Sequence, residues 1–347
     1  MKKNIVLLCL LVVNKLIIAQ SYSGPESVEY DYTRNCYYIS NTQSHQILKR
    51  EANGTLSVFA SGITSGPHGL EIIDDTLYAC SGGALRAYNL INGNPLYTVN
   101  VGATFLNGIT HKGNILYITD FTAKKVYRFN AVSKQYNEFT GTLNKTPNGI
   151  IYDDINDRLV MVSWGANAPV YEINLNDSSV ALLTTTSLGN CDGIAMNCNG
   201  QFFISSWSPN RISRFENDFI APPVNMNATG LSSPADIFFN KNADTLAVPN
   251  SGNNTVTFYH YPSCLNLSVP NHDLNYNIKN LPDSWQITIN NGSISEAELF
   301  DLAGKKTGIL AVSGKQISIT KPTTPGIYIL KIKTENQLSV LKLCNVQ

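Results

Sequence analysis

The chain has 347 residues, enough for two domains or for one large domain with an appendage, so a single small module is excluded. Lys plus Arg and Asp plus Glu each number 25, giving a formal charge of zero, and only 14% of residues are charged against roughly 25% in ordinary soluble proteins. That balance excludes an electrostatic footprint for nucleic acid or an acidic membrane surface, while 43% hydrophobic residues suffice for a core and argue against intrinsic disorder.

Met1-Lys2-Lys3-Asn4 is a basic n-region, followed by an apolar run from Ile5 to Val13 and the patch Leu16-Ile17-Ile18-Ala19. This reads as a secretory signal over residues 1–19, cleaved after Ala19. Lys15 interrupts the run, and a bilayer takes about 20 apolar residues, so no stable membrane span is expected. Cys36, Cys80, Cys191, Cys198, Cys264 and Cys344 then remain in an oxidising compartment, where a disulfide or two is permitted but not required. No C-x-x-C or Cys/His cluster points to zinc.

Six segments share one pattern: GPESVEYD at Gly24, GPHGLEII at Gly66, FLNGITHK at Phe105, TPNGIIYD at Thr146, NCDGIAMN at Asn190 and SPADIFFN at Ser233. Their aligned residues Ser27, Gly69, Gly108, Gly149, Gly193 and Asp236 are spaced 42, 39, 41, 44 and 43 apart. Each segment continues through a turn into apolar-aromatic strands such as ILYIT and KVYRFN, and four short strands per unit is the signature of a propeller blade. The expected fold is all-β, a six-bladed β-propeller over residues 20–263. Blade six lacks an obvious outer strand; either Gln20–Ser23 pairs with Thr255–Tyr259, or Cys264–Val269 closes the ring.

Residues 264–347 alternate apolar and polar positions between turns such as Asn291-Gly292 and Pro325-Gly326, which predicts a small antiparallel β-sandwich. Ala297-Glu298-Leu299-Phe300-Asp301-Leu302-Ala303-Gly304-Lys305-Lys306 and Pro325-Gly326-Ile327-Tyr328-Ile329-Leu330-Lys331-Ile332, ending near Leu341-Lys342-Leu343, carry a resemblance to the C-terminal sorting domain of the type IX secretion system of Bacteroidota. The terminal Cys344-Asn345-Val346-Gln347 departs from that family's basic and aliphatic ending. The resemblance implies an export address recognised by the secretion machinery, and a secreted or cell-surface protein.

In a propeller the first strand of each blade lines a central channel, so the residues before the aligned positions project toward one axis: Glu26, His68, Asn107, Asn148, Asp192 and Ala235. Two carboxylates and two amides there are hard oxygen donors suited to calcium or magnesium. Without an ion, Glu26 and Asp192 at about 6 Å would repel by roughly 3 kcal/mol at an effective dielectric near 20.

At these residues the chain resembles the gluconolactonase and regucalcin family, with its paraoxonase-like and strictosidine-synthase-like relatives. The resemblance implies a divalent metal, commonly calcium, held by Glu26, Asn107, Asn148 and Asp192. Pro67-His68-Gly69 is similar to a histidine motif of paraoxonase-like and streptogramin-lyase-like propellers. Two departures stand out: Gly108 follows Asn107 where gluconolactonase-like chains place an Asp, and Cys80-Ser81-Gly82 stands where paraoxonase-like enzymes carry a second histidine. By analogy with the family, Asp192 is a ligand and base in a lactonase or esterase mechanism, and His68 orients or deprotonates a water at an ordinary imidazole pKa.

Loops between second and third strands open on the same face, so His68, Asp120, Trp164, Trp207 and Asn250 are expected around the mouth as substrate contacts, with both tryptophans available to stack on a sugar or aromatic ring. His111 should face the opposite end as a surface residue. Cys191 adjoins Asp192 but has no second histidine to activate it as a nucleophile. No nucleotide-binding glycine loop, Gly-x-Ser-x-Gly elbow or His-Glu-x-x-His helix is present. The sequence therefore supports a secreted metal-binding hydrolase of a lactone or ester, or else a non-catalytic extracellular propeller binding peptide, glycan or protein.

Overall fold

The structure is a computed structural model describing residues 20–262, 276–290, 292–301, 304–308, 310–334 and 338–345. Residues 1–19, expected to be a signal, and Cys264–Val269, one of the two expected closing segments, lie outside the described residues. Among them every regular element is a β-strand, and no helix is long and apolar enough to cross a membrane. The chain divides into two compact units, residues 1–264 and 265–347.

Among the described residues the first unit contains six antiparallel sheets in chain order, each an up-and-down meander starting from an inner strand. The inner strands are Pro25–Asp31, Leu70–Ile73, Leu106–Lys112, Thr146–Asp153, Gly189–Met196 and Phe238–Asn240. Five sheets have four strands and the last has three among the described residues. Second strands such as Cys36–Asn41 are buried throughout, whereas outer strands such as Tyr136–Glu138 are exposed throughout. A sheet apolar on both faces needs a neighbour on each side, and the cores lie between successive sheets.

Tyr38 and Ile47 pack with Leu77 and Tyr88; Leu85 packs with Ile109 and Phe129; Tyr117 packs with Ile150 and Met161. Val160 packs with Phe202, and Phe203 with Phe239 and Leu246. The last interface, between Val28 and Ile39 of the first sheet and Ala247 and Phe258 of the last, closes the circuit. Burying each such side chain is worth about 1.5–3 kcal/mol.

Near the axis the repeated glycine has a steric cause. A Cβ on Gly69 would stand 2.1 Å from the Asn107 carbonyl oxygen, and one on Gly108 2.4 Å from that of Asn148. Adjacent inner strands therefore press together where only hydrogen fits. Between the last and first sheets a polar clasp stands at the aligned positions: Ser27 Oγ donates to Asp236 Oδ2 at 2.8 Å and accepts from the Leu70 N–H at 3.2 Å, while the Asp236 N–H donates to the Glu26 carbonyl at 2.8 Å.

Gln20–Ser23 do not form a strand on Thr255–Tyr259. The Gln43 N–H donates to the Ser23 carbonyl and the Thr42 N–H to the Gly24 carbonyl, so the segment lies along the end of the first sheet's second strand. The Gly24 N–H bonds to Asn254 Oδ1 at 2.7 Å, and Tyr22 packs in the cluster that joins the first and last sheets.

The second unit has two antiparallel sheets among the described residues. One contains Tyr276–Asn280, Ser284–Ile289, Gln316–Thr320 and Leu310–Ser313; the other contains Ile294–Asp301, Gly326–Thr334 and Leu338–Asn345. Gln316–Thr320 alternates exposed and buried residues, as a strand with one face on a core must. Trp285, Ile287 and Ile317 from the first sheet meet Leu299, Leu330 and Leu341 from the second.

Candidate functional site

The inner strands bring Glu26, Asn107, Asn148 and Asp192 to one end of the first unit's axis. Asn107 Nδ2 donates to Asn148 Oδ1 at 2.6 Å, and Asn148 Nδ2 reaches the Cys191 carbonyl at 3.4 Å, next to Asp192. Asn148 and Asp192 are each 2% exposed. Burial pushes Asp192 well above the ordinary carboxylate range; the charges of Glu26 and Asp236 add to the rise, and the Trp207 indole and Asn148 amide offset part of it. Burial, then the charge of Asp236, raises Glu26 to about 7.

Asp236 is the carboxylate that sequence reading leaves out of the site. It is raised to about 7, first by burial, with the Ser27 hydroxyl opposing the rise. The sequence signal was its place in the repeat, an acid where four of the six units carry glycine. Ala235, the sixth inward position of the pattern, is fully buried and brings no polar group.

Among the described residues no three His, Cys, Asp or Glu side chains gather as a metal cluster, so amide oxygens must complete any cation site. The donor chemistry fits a hard divalent ion: two carboxylates and two amides. Asn148 Oδ1 is engaged by Asn107 Nδ2, and that bond must open if both amide oxygens are to ligate.

His68 stands at the same end, its ring 4.6 Å from that of Phe105. Burial lowers its pKa to about 4, so it is neutral near pH 7 and a weak base, contrary to the expectation of an ordinary imidazole. Its Nδ1 is buried without a hydrogen-bond partner. Two more such atoms belong to this end, Asn41 Oδ1 and Ser163 Oγ. Asn41 pairs with Pro25 beside Glu26, and Ser163 with Pro147 beside Asn148.

Asp120 and Asn250 do not contact the mouth as expected. Both are fully buried. Asp120 accepts the N–H groups of Thr104, Phe105, Thr122 and Ala123, and Asn250 accepts that of Ser232 while donating to the Val248 carbonyl and Thr257 hydroxyl. An acceptor saturated by turn amides fixes a loop and has no capacity left for a ligand. Trp164 and Trp207 are half-buried and lie edge-to-face, centroids 5.0 Å apart.

Cys191 is a fully buried free thiol raised to about 12, first by burial and then by the Asp192 charge, which removes it as a nucleophile. Cys36 and Cys80 are also free and buried, while Cys198 is disulfide-bonded.

His111 does face the opposite end, but it has a partner there: Nδ1 lies 3.0 Å from Glu71 Oε1. Burial alone lowers His111; the Glu71 bond and charge, with Asp74, outweigh it and leave the imidazole above its ordinary value. These residues, with Glu29 and Asp236, line a cavity of about 730 Å³ that none of Glu26, Asn107, Asn148 or Asp192 lines.

No protein-family model matches the sequence, and no curated protein matches it. Solved structures do match in fold. A gluconolactonase from Xanthomonas campestris aligns with a TM-score of 0.58 at 15% identity, over 66% of this chain and 84% of that one. Virginiamycin B lyase from Staphylococcus aureus aligns with a TM-score of 0.52 at 12% identity, over 86% and 96%. A β-propeller domain from Myceliophteria thermophila aligns with a TM-score of 0.53 at 10% identity, over 70% and 98%. At these identities the likeness establishes the fold alone: the chain contains a β-propeller.

Proposed function

We propose that the chain is an exported six-bladed propeller that holds calcium, or alternatively magnesium, at one channel mouth and hydrolyses a lactone or ester there. The observation that carries this reading is the gathering of the Glu26 and Asp192 carboxyls, with that of Asp236, at one end of the axis. Each raises or is raised by a neighbouring carboxyl, and among the described residues no Lys, Arg or His bonds to either. A buried carboxylate pair without a counter-charge is costly, and a divalent cation removes that cost.

Glu26, Asn107, Asn148 and Asp192 would hold the ion through oxygen. When bound, the cation polarises a carbonyl oxygen and acidifies a water. Asp192, held as the carboxylate when it ligates the ion, would be the residue to accept a proton from water. His68, neutral at that pH, offers a hydrogen bond at Nδ1 rather than a strong base. Residues 1–19 would direct export, and residues 264–347 would serve as the type IX sorting address at the cell surface.

A second reading, a non-catalytic propeller binding peptide, glycan or protein, draws on two features. Cys80 replaces the second histidine of paraoxonase-like enzymes, and Gly108 faces the Asn148 carbonyl so closely that the Asp of gluconolactonase-like chains would not fit there.

Elemental analysis of the purified chain, followed by a screen of lactones and aryl esters with and without chelator, separates the two. Stoichiometric calcium, turnover lost on chelation and a loss of about 10²-fold or more in Asp192→Asn are expected. Stoichiometric metal without turnover would leave the binding reading, and absence of metal would remove the hydrolytic one.

A further inference from the structure

The rings at the mouth form a continuous series. His68 meets Phe105 at 4.6 Å, Phe105 meets Phe121 at 5.6 Å, Phe121 meets Trp164 at 5.8 Å and Trp164 meets Trp207 at 5.0 Å, every pair edge-to-face. Phe121, Trp164 and Trp207 occupy one repeat position, each following a second-strand residue whose partner immediately precedes Asn107, Asn148 or Asp192. All five side chains stay half-exposed although the strands beneath them are buried. Edge-to-face contact leaves ring surface uncovered, and covering apolar surface is favourable.

We infer that His68, Phe105, Phe121, Trp164 and Trp207 form a stacking subsite for a flat, uncharged ring poor in hydroxyl groups, carried by the ligand of the channel mouth. The inference rests on the proposed site only for what that ring is attached to. The series contains no charged side chain, and His68 Nδ1, its nitrogen without a hydrogen-bond partner, is buried. A ring poor in hydroxyl groups can be covered by these faces without loss, whereas a polyhydroxylated ring would bury several hydroxyls without partners. Asp120 holds the series in place by accepting the Phe105 N–H, and the Phe121 N–H donates to the Phe105 carbonyl at 2.8 Å.

The test uses the full chain and three probes without a carbonyl, so that none depends on a metal-polarised bond: 1-naphthol, myo-inositol and phenyltrimethylammonium. Calorimetric titration with calcium and again with chelator is expected to give 1-naphthol binding at least tenfold tighter than the other two in both conditions. Trp164→Ala and Phe121→Ala should each weaken it fivefold or more, with Trp164→Phe retaining most of the affinity as a control for folding. Glu26→Gln should leave it within threefold, so loss of the cation site and loss of the ring subsite read separately. Binding of 1-naphthol no tighter than myo-inositol, insensitivity to Trp164→Ala and Phe121→Ala, or tighter binding of phenyltrimethylammonium would each overturn the inference.

Discussion

Ser27 and Asp236, 209 residues apart in the chain, are joined by a hydrogen bond of 2.8 Å where the last inner strand meets the first. The same hydroxyl accepts the Leu70 N–H, so one serine ties together three successive sheets. Ser27→Ala leaves a half-buried carboxyl and a buried amide without that partner, and should lower stability by about 1–3 kcal/mol. Denaturant unfolding of the full chain, followed by far-ultraviolet circular dichroism, reads the difference. A change within 0.5 kcal/mol would mean that the clasp contributes nothing to closure.

Gly108 gives a sharper steric contrast. Its added Cβ would meet the Asn148 carbonyl oxygen at 2.4 Å and the Gly149 Cα at 3.0 Å, both backbone atoms that cannot rotate away. Gly108→Ala should cost on the order of 3 kcal/mol or more, whereas Gly141→Ala, with nothing within 4 Å of its Cβ, should stay within about 0.5 kcal/mol. Equal midpoints for the two variants would contradict the close packing of inner strands.

The repeat was legible because propeller geometry imposes the same steric demand at every interface: Gly69 and Gly108 mark places where the next strand's carbonyl excludes a side chain. The residue before each glycine was legible for the same reason, as the side chain nearest the axis. Asp236 was missed because it interrupts the glycine pattern, and the interruption makes sense only once the chain's ends meet at Ser27. Asp120 and Asn250 were misread because a polar residue at a strand end looks the same in sequence whether it faces a ligand or its own loop. The difference lies in the backbone N–H groups the fold brings to it. Phe105 and Phe121 went unnoticed as apolar residues, although Phe121 shares its repeat position with Trp164 and Trp207.

Cys191 lies beside Asp192 yet should be chemically silent. The thiol is 0% exposed and held at about 12, so at pH 8 almost none of it is thiolate. A maleimide or iodoacetamide reagent should leave Cys191 unmodified in the folded chain and modify it on unfolding, as peptide mass spectrometry would record. Cys191→Ala should leave any turnover within about twofold. Labelling of the native thiol at the rate of a free cysteine would reinstate it as a reactive group.

The acidic ring makes stability depend on pH with a definite sign. Glu26 and Asp236 have folded pKa values raised to about 7, so between about pH 4 and 7 the folded chain binds more protons than the unfolded one, and stability falls as pH rises through that window. Each carboxyl contributes on the order of 3 kcal/mol to that fall. His68 opposes it: its folded pKa is lowered to about 4, so its contribution is lost as pH falls from its unfolded value through the folded one. His111, raised by Glu71 and Asp74 against the effect of burial, acts with the carboxyls, because its stabilisation is present below the unfolded pKa and lost as pH rises through the folded one. The chelator-treated chain should therefore have a lower thermal midpoint at pH 7.5 than at pH 5. Glu26→Gln should flatten that slope, and the gain on adding calcium should grow with pH across the same range, since an ion competes with protons for these carboxyls. A calcium effect independent of pH, or a slope unchanged in Glu26→Gln, would show that these carboxyls are neither strained when ionised nor the place where the ion binds.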